Sequence, residues 1–502
     1  MAIESKIIAL KSRFFFTRTL SYFSFFLIPI YVQKSLVLPP FLKALLMMLY
    51  CSFMLGQWFL LGKEIDHRLK IYFEVNSSVD RIVYRLLLGM TFVILVYNLL
   101  DIFSYKWSIN FFWFFWILCG LFYSWPTRGK IIEESVTSHF VDIKYLDSFE
   151  KTLLFLIILF FVFSLPLYPD VKDMEDLRTY IDEVKPLSKF IWTFLKINFL
   201  PFFKYFSLFK IGFFTFFYFV FVGLFLFIFY SLLRHFFARR LALLGVFAIL
   251  SSWSFSKTLS SDLVLSHLSV FSVIWVWAGL WIIKSSTYKS GLFLGTIGFL
   301  ASLLDSRYSL LIIFHFSICH FLFLNRKTKW FRKQFYKYFS FGFLSSLLTL
   351  STYHLFIEGG LKPVDNMSIL KLGKNILFEI NEKAVFSLSL IGFFILLIKY
   401  LFPKMEKLGM SFFIDIKKMT IVLISLSILF CYGAFISPDL INGLGLLWPI
   451  VLFCLIPIEF IFQLSSRFRS NRNIIYLMYI LICLLDSHFE GRIKIFFNFI
   501  KM

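Results

Sequence analysis

Apolar runs of membrane-spanning length recur from one end of this chain to the other, and nothing else in the sequence constrains its fold as strongly. Crossing the roughly 30 Å hydrocarbon core of a bilayer takes about 20 mostly apolar residues in a helix. Such runs fall near 20–37, 41–61, 83–100, 110–124, 152–168, 209–233, 241–256, 262–283, 290–304, 309–324, 339–357, 384–402, 419–436, 445–463 and 473–486. Over 502 residues, 59% hydrophobic content with only 16% charged residues is more apolar surface than one soluble core can bury. The expected fold class is therefore an all-α polytopic membrane protein with about 13–15 transmembrane helices.

The formal net charge of +22 would suggest nucleic acid in a soluble chain, but here the basic residues sit in short segments between apolar runs. They read as topology signals, and no nucleic acid partner is expected. With the N-terminus cytoplasmic, the inner segments are 62–82, 125–151, "RHFFARR" at 234–240, "KSSTYKS" at 284–290, 325–338, 403–418 and "SRFRSNR" at 466–472, and each carries two or more Lys or Arg residues. The other face receives 169–208, 251–261, 304–309, 358–383 and 437–445, carrying Asp170, Asp173, Glu175, Asp176, Asp262, Asp305, Glu358, Asp365 and Asp439. Lys6, Lys11, Arg13 and Arg18 precede the first run without a small-residue cleavage site after it, which predicts an uncleaved signal anchor. The six cysteines lie in or at the ends of apolar runs with no metal-ligand spacing, and read as small core residues.

No phosphate-binding GxxxxGK[ST], dinucleotide GxGxxG, zinc-binding HExxH or nucleophile-elbow GxSxG motif occurs. That argues against an ATP-driven pump or a zinc protease. It leaves open an enzyme whose substrate carries its own energy.

The densest acidic cluster, "YPDVKDMED", follows the run 152–168 directly. One reading is a solvated helix start, since acids favour a first turn. The other is a general base, with or without a divalent cation: on a helix Asp170, Asp173 and Asp176 share one side, and their repulsion raises at least one pKa. The following stretch interleaves Lys185, Lys189, Lys196, Lys204 and Lys210 with aromatic residues, as interfacial helices do. Asp262 opens another apolar run behind Lys257, either as a helix cap facing water or as a functional carboxylate. Asp305 and Arg307 share a short turn, where Arg307 either pairs locally or receives a phosphate oxygen. His315, His320 and His354 lack metal spacing and read as packing residues; Trp253, Trp275, Trp277 and Trp281 read as interface anchors or core.

Taken together, "YPDVKDMED" after an apolar helix, the long outer loop, the hairpin "RHFFARRLALLGVFAILSSWSFSKTLSSDLVLSHLSVFSVIWVW" and the run "GLFLGTIGFLASLLDSRYSLLIIF" resemble the GT-C glycosyltransferases. The likeness is to the protein-mannosyltransferase and aminoarabinose-transferase branch. It covers about 150–360, a match of arrangement more than of exact motif. It implies a GT-C-like catalytic core over 151–360; the four apolar runs and cytoplasmic linker of 1–150 have no counterpart in the family, and C-terminal transmembrane helices follow over 361–502. The implied reaction moves a sugar from a polyprenyl-phosphate donor to a lipid, glycan or protein acceptor on the periplasmic or extracellular face of the plasma membrane.

Carried over to these positions, Asp170 or Asp173 would be the base or a metal-linked orienter of the acceptor, with Glu175 and Asp176 in the same cluster. Asp262 would be the acid ahead of a later helix, and Lys257 and Arg307 would hold the donor phosphate. The adjacent Asp-Glu pair common in the family is missing at the loop start, so the resemblance does not single out the base. A divalent cation, magnesium or manganese, at Asp170 and Asp173 is the one cofactor it leaves open. Rival readings are a transporter or lipid flippase, an O-antigen-type polymerase or ligase, and a structural assembly subunit. The second would want arginines late in the chain, where 358–383 has Lys362, Lys371, Lys374 and Lys383 instead.

Overall fold

The computed structural model describes residues 78–103, 145–164, 218–256, 272–280, 382–402, 415–435, 444–464 and 471–501, together with positions 48, 52, 55, 56, 58–63, 65 and 66. Every element among them is helical. In chain order they are α1 (Ser78–Phe103), α2 (Ser148–Phe163), a π-helical turn (Tyr218–Val222) running into α3 (Gly223–Arg234), α4 (Arg239–Ser251), α5 (Lys383–Leu401), α6 (Ile416–Phe435), α7 (Leu444–Leu464), α8 (Arg472–Leu485) and α9 (Phe489–Lys501). A further helical segment covers 272–280.

The centre of this assembly is α4, whose sequence LALLGVFAILS is apolar nearly all round; a helix of that kind has to be enclosed on every side. Leu241 through Ser251 are all buried, and α2, α3, α7 and α8 pack around them. Gly245 makes this possible at one level, because a Cβ there would meet Leu233 of α3 at 2.5 Å and Leu455 of α7 at 3.0 Å.

The most extensive helix pair, α5 with α7, is built on a defect. Pro457 inside α7 has no N–H to return to the carbonyl four residues earlier, which frees the oxygen of Phe453. Gly392 of α5 packs onto that carbonyl so closely that a Cβ would lie 2.0 Å from it. The same device joins 58–63 to α1: a Cβ on Gly62 would sit 1.7 Å from the Arg85 oxygen, and one on Gly89 1.8 Å from the Trp58 oxygen. Small residues at such crossings let two backbones touch.

The amphipathic sense of the outer helices is inverted relative to a water-soluble bundle. On α5 the buried positions are Val385, Ser389, Gly392, Leu396 and Lys399, while Leu390, Ile391, Phe393, Phe394, Leu397 and Ile398 are exposed. On α8 the exposed side is Ile474, Leu477, Met478, Leu481 and Leu485. Among the described residues α5 alone is long and apolar enough to cross a bilayer, and a second such span arises if α8 and α9, which meet at 62°, are counted as one bent element. Gly223–Arg234, Lys418–Cys431 and Leu447–Phe462 are shorter apolar stretches.

Helix limits follow the apolar runs with informative departures. The run 241–256 is broken at Ser252, whose extended backbone ends α4 and whose Oγ accepts from the Phe255 N–H to start a new turn. The run 83–100 begins earlier, at Ser78, because Asp80 finds partners inside the protein instead of water. Nothing was expected at 489–501, where α9 lies. Trp275 and Trp277, expected as anchors or core, are core.

Candidate functional site

Among the described residues the helices gather their polar side chains into two layers at opposite ends of α4. One layer is basic. Asp147 and Glu150 form a capping box on α2: Glu150 N–H donates to Asp147 Oδ1 at 2.7 Å and Asp147 N–H to Glu150 Oε2 at 3.0 Å. The remaining carboxylate oxygens take the two arginines that open α4, Arg239 Nε on Glu150 Oε1 at 2.7 Å and Arg240 Nε on Asp147 Oδ2 at 2.8 Å. Arginines are unfavourable at a helix N-terminus, and the two acids offset that cost for α2 and α4 together. Arg240 also donates to Asn473 at the start of α8, 3.1 Å away. Burial pushes the Asp147 carboxyl up, but the Glu150 N–H and the Arg240 and Arg239 guanidiniums outweigh it and hold the group below the usual carboxylate range.

Near this end lies a buried polar network. Asp80 of α1 accepts from Ser231 Oγ on α3 and, at 3.3 Å, from Trp277 Nε1; its other oxygen is 3.2 Å from His235 Nε2. A second buried pair, Arg85 Nε with Asp66 Oδ2 at 3.2 Å, sits further along α1. In the Asp80 set the carboxylate stands between Ser231 and His235, so the imidazole is not placed to take the serine proton, and this is no nucleophilic triad.

The other layer is acidic, and it lies where α2 and α4 end. Arg492 of α9, completely buried, donates to the carbonyls of Leu250 at 2.7 Å, Ser251 at 3.0 Å and Ser252, and to Ser164 Oγ at 3.3 Å, with its guanidinium over the Phe160 ring. A cation against the last carbonyls of a helix complements its dipole. Beside it the buried Glu382 carboxylate accepts from Ser252 Oγ and from the Ser254 N–H, each at 2.7 Å, and from Ser254 Oγ. At the bend between α8 and α9 are Asp486, Ser487 and His488, the last with a left-handed φ of 46°. The His488 ring stands 4.9 Å from the half-buried Trp253. Burial, and then the charge of Glu382, push the Asp486 carboxyl above its ordinary range, with His488 opposing. Asp486 Oδ2 is buried and accepts no hydrogen bond among the described residues.

The sequence-expected site residues Asp170, Asp173, Glu175, Asp176, Lys257, Asp262 and Arg307 all lie outside the described residues. What the acidic layer does contain is the chain leading to them. Ser164, held by Arg492, is the last described residue before the acidic cluster, and Ser256, bonded to the Ser252 carbonyl, directly precedes Lys257. Glu382 closes the segment 358–383. Sequence reasoning passed over Glu382, Asp486, His488 and Arg492; a signal for Asp486 was available, an acid ending an apolar run behind a basic segment, as at Asp170. Among the described residues no group of three or more His, Cys, Asp or Glu is arranged to hold a metal ion.

Compared with protein-family models, with curated proteins and with solved structures, the chain finds no match.

Proposed function

We propose that this chain is a polytopic membrane protein that transfers a sugar from a polyprenyl-phosphate donor to an acceptor at the acidic end of the helix assembly, which would face away from the cytoplasm. Three features support the membrane part. The arginine layer joins segments 125–151 and 234–240 to the start of α8, the two segments being assigned inside by their Lys and Arg, and the acidic layer joins the exits toward segments assigned outside. The apolar outward faces of α5 and α8 are wrong for water and right for lipid.

The observation that carries the catalytic part is the geometry at Asp486: a buried carboxylate oxygen without a hydrogen-bond donor among the described residues, directly after α8 at the end of the assembly where α2 and α4 also end. In the proposed reaction a carboxylate, Asp170, Asp173, Asp262 or Asp486, takes the proton of an acceptor hydroxyl. The hydroxyl oxygen bonds to the anomeric carbon as the carbon–oxygen bond to the phosphate breaks, and polyprenyl phosphate leaves with the bonding pair. Lys257 and Arg307 are the cations assigned to that departing charge. A divalent cation would fall to Asp170 and Asp173, and an assay without magnesium and manganese tests for it.

The deciding experiment is transfer of radiolabelled sugar from the membranes' own polyprenyl-phosphate pool, comparing wild type with Asp170→Asn, Asp173→Asn, Asp262→Asn and Asp486→Asn at equal expression. Collapse in one variant locates the base. Absence of transfer in the wild type ends the reading.

A transporter or flippase is the second reading, favoured by the buried Asp80–His235 and Asp66–Arg85 pairs, since ionisable groups within membrane helices commonly line transport paths. Lipid-scrambling or solute-uptake assays in liposomes, with Asp80→Asn as the variant, separate it from the first.

A further inference from the structure

The acidic layer holds a combination of groups that an acid cluster alone would not supply. Trp253 and His488 form an aromatic pair with ring centroids 4.9 Å apart, Trp253 half-buried and His488 exposed. Beside them stand Glu382, buried and engaged by Ser252 and Ser254, and Asp486, with one oxygen still lacking a donor. His488 reaches this position through a left-handed backbone, which aims its ring from the bend between two helices toward the turn that follows α4.

A pyranose ring is the ligand class that this set matches. It offers a patch of C–H groups to an aromatic face and a rim of hydroxyl donors to carboxylates. Two carboxylates near enough to influence each other electrostatically disfavour phosphate and favour a neutral polyol. A plain hydrophobic ligand would leave the Asp486 oxygen as unsatisfied as it stands.

From these residues we infer that Trp253, His488, Asp486 and Glu382 form a subsite for a neutral sugar ring. The inference rests on the glycosyltransferase reading for its biological role, but the binding it asserts is testable without transfer. The sugar belongs either to the donor or to the acceptor, and both present the same chemistry here.

The test is saturation-transfer NMR on the full chain in lipid nanodiscs, with methyl mannoside, methyl galactoside and N-acetylglucosamine as probes and inorganic phosphate as the control anion. Wild type and Trp253→Phe, which keeps an aromatic face, are expected to saturate the ring protons of at least one probe. Trp253→Ala and His488→Asn are expected to reduce that signal at least fivefold. Asparagine tolerates the left-handed backbone, so His488→Asn removes the ring with the bend intact, and an unchanged melting temperature verifies the fold. Equal saturation in all four proteins, or none in the wild type, overturns the subsite.

Competition by extracted polyprenyl-phosphate sugar, set against polyprenyl phosphate alone, then assigns the ring: displacement by the glycosylated lipid only means donor, displacement by neither means acceptor. The radiolabel assay run in parallel separates the two failures. Sugar binding that depends on Trp253 without any transfer sinks the enzyme reading and keeps the subsite. Transfer with binding indifferent to Trp253 and His488 sinks the subsite alone.

Discussion

Arg492 and Leu250 lie 242 positions apart in sequence and are joined by a 2.7 Å hydrogen bond from the guanidinium to the last-turn carbonyl of α4. The same side chain reaches Ser251, Ser252 and Ser164, so one residue from the end of the chain closes the acidic end of two parallel helices. Hydrogen bonds to a charged group contribute about 1.5–3 kcal/mol each, and carbonyls left without a donor in a dry interior cost a similar amount.

Arg492→Met is therefore expected to lower stability by about 3 kcal/mol or more, with Arg492→Lys intermediate because a lysine cannot fork across several carbonyls. Thermal unfolding in detergent or nanodiscs reads the first effect. The buried thiol of Cys483, on the last turn of α8 near this layer, gives a local report: its alkylation should accelerate in Arg492→Met.

Glycine substitutions should divide sharply. Gly62→Ala, Gly89→Ala and Gly392→Ala each drive a Cβ to within 2.0 Å of a neighbouring backbone carbonyl, which cannot turn aside as a side chain can, so these proteins should fail to accumulate in the folded form. Gly56→Ala and Gly491→Ala meet nothing within 4 Å. They should be neutral or stabilise by about 0.4–1 kcal/mol through the unfolded chain. Size-exclusion profiles of fluorescent fusions distinguish the two groups.

The two ends should respond to pH with opposite sign. Asp147 has its folded pKa lowered, so its contribution is fully present above the unfolded value of about 3.9 and is lost as pH falls through the folded value below it. Asp486 has its folded pKa raised, so its contribution is present below about 3.9 and is lost as pH rises through the folded value above it. At neutral pH Asp147→Asn should destabilise and Asp486→Asn should leave the melting temperature unchanged or raise it. Melting curves of both variants on either side of the unfolded value of about 3.9 check the sign.

Lipid contact has its own test in Phe394→Lys on α5 and Leu481→Lys on α8, both on exposed apolar faces. A lysine at a water-facing position changes stability by no more than about 0.5 kcal/mol. At the centre of a bilayer it costs about 2.5–3.5 kcal/mol of insertion free energy. Loss of membrane integration in the two variants supports the spanning reading, and normal behaviour in aqueous buffer without detergent would defeat it.

Much of the helical scaffold was legible because its signal is local. Runs such as 384–402, 419–436, 445–463 and 473–486 correspond to α5, α6, α7 and α8 within a few residues, since a long apolar run has no other way to satisfy its backbone in a dry setting. The DSFE capping box of α2 was equally present in the sequence. Helix α9 was harder to see, because Arg492 and Lys494 interrupt its apolar residues and the reason they are tolerated lies elsewhere in the chain.

The sequence by itself determined which segments are apolar and how long each apolar run is, and hence that helices rather than strands carry the described residues. Those properties depend on residues within one or two turns of each other. Only the tertiary structure decided that Arg492 would meet the end of α4, that Gly392 would rest on the carbonyl freed by Pro457, and that Glu382, Trp253, Asp486 and His488 would share one corner. Each of these joins positions whose meeting depends on how whole helices pack, and a buried charge or a bare carbonyl has no marker in the sequence until its partner is brought beside it.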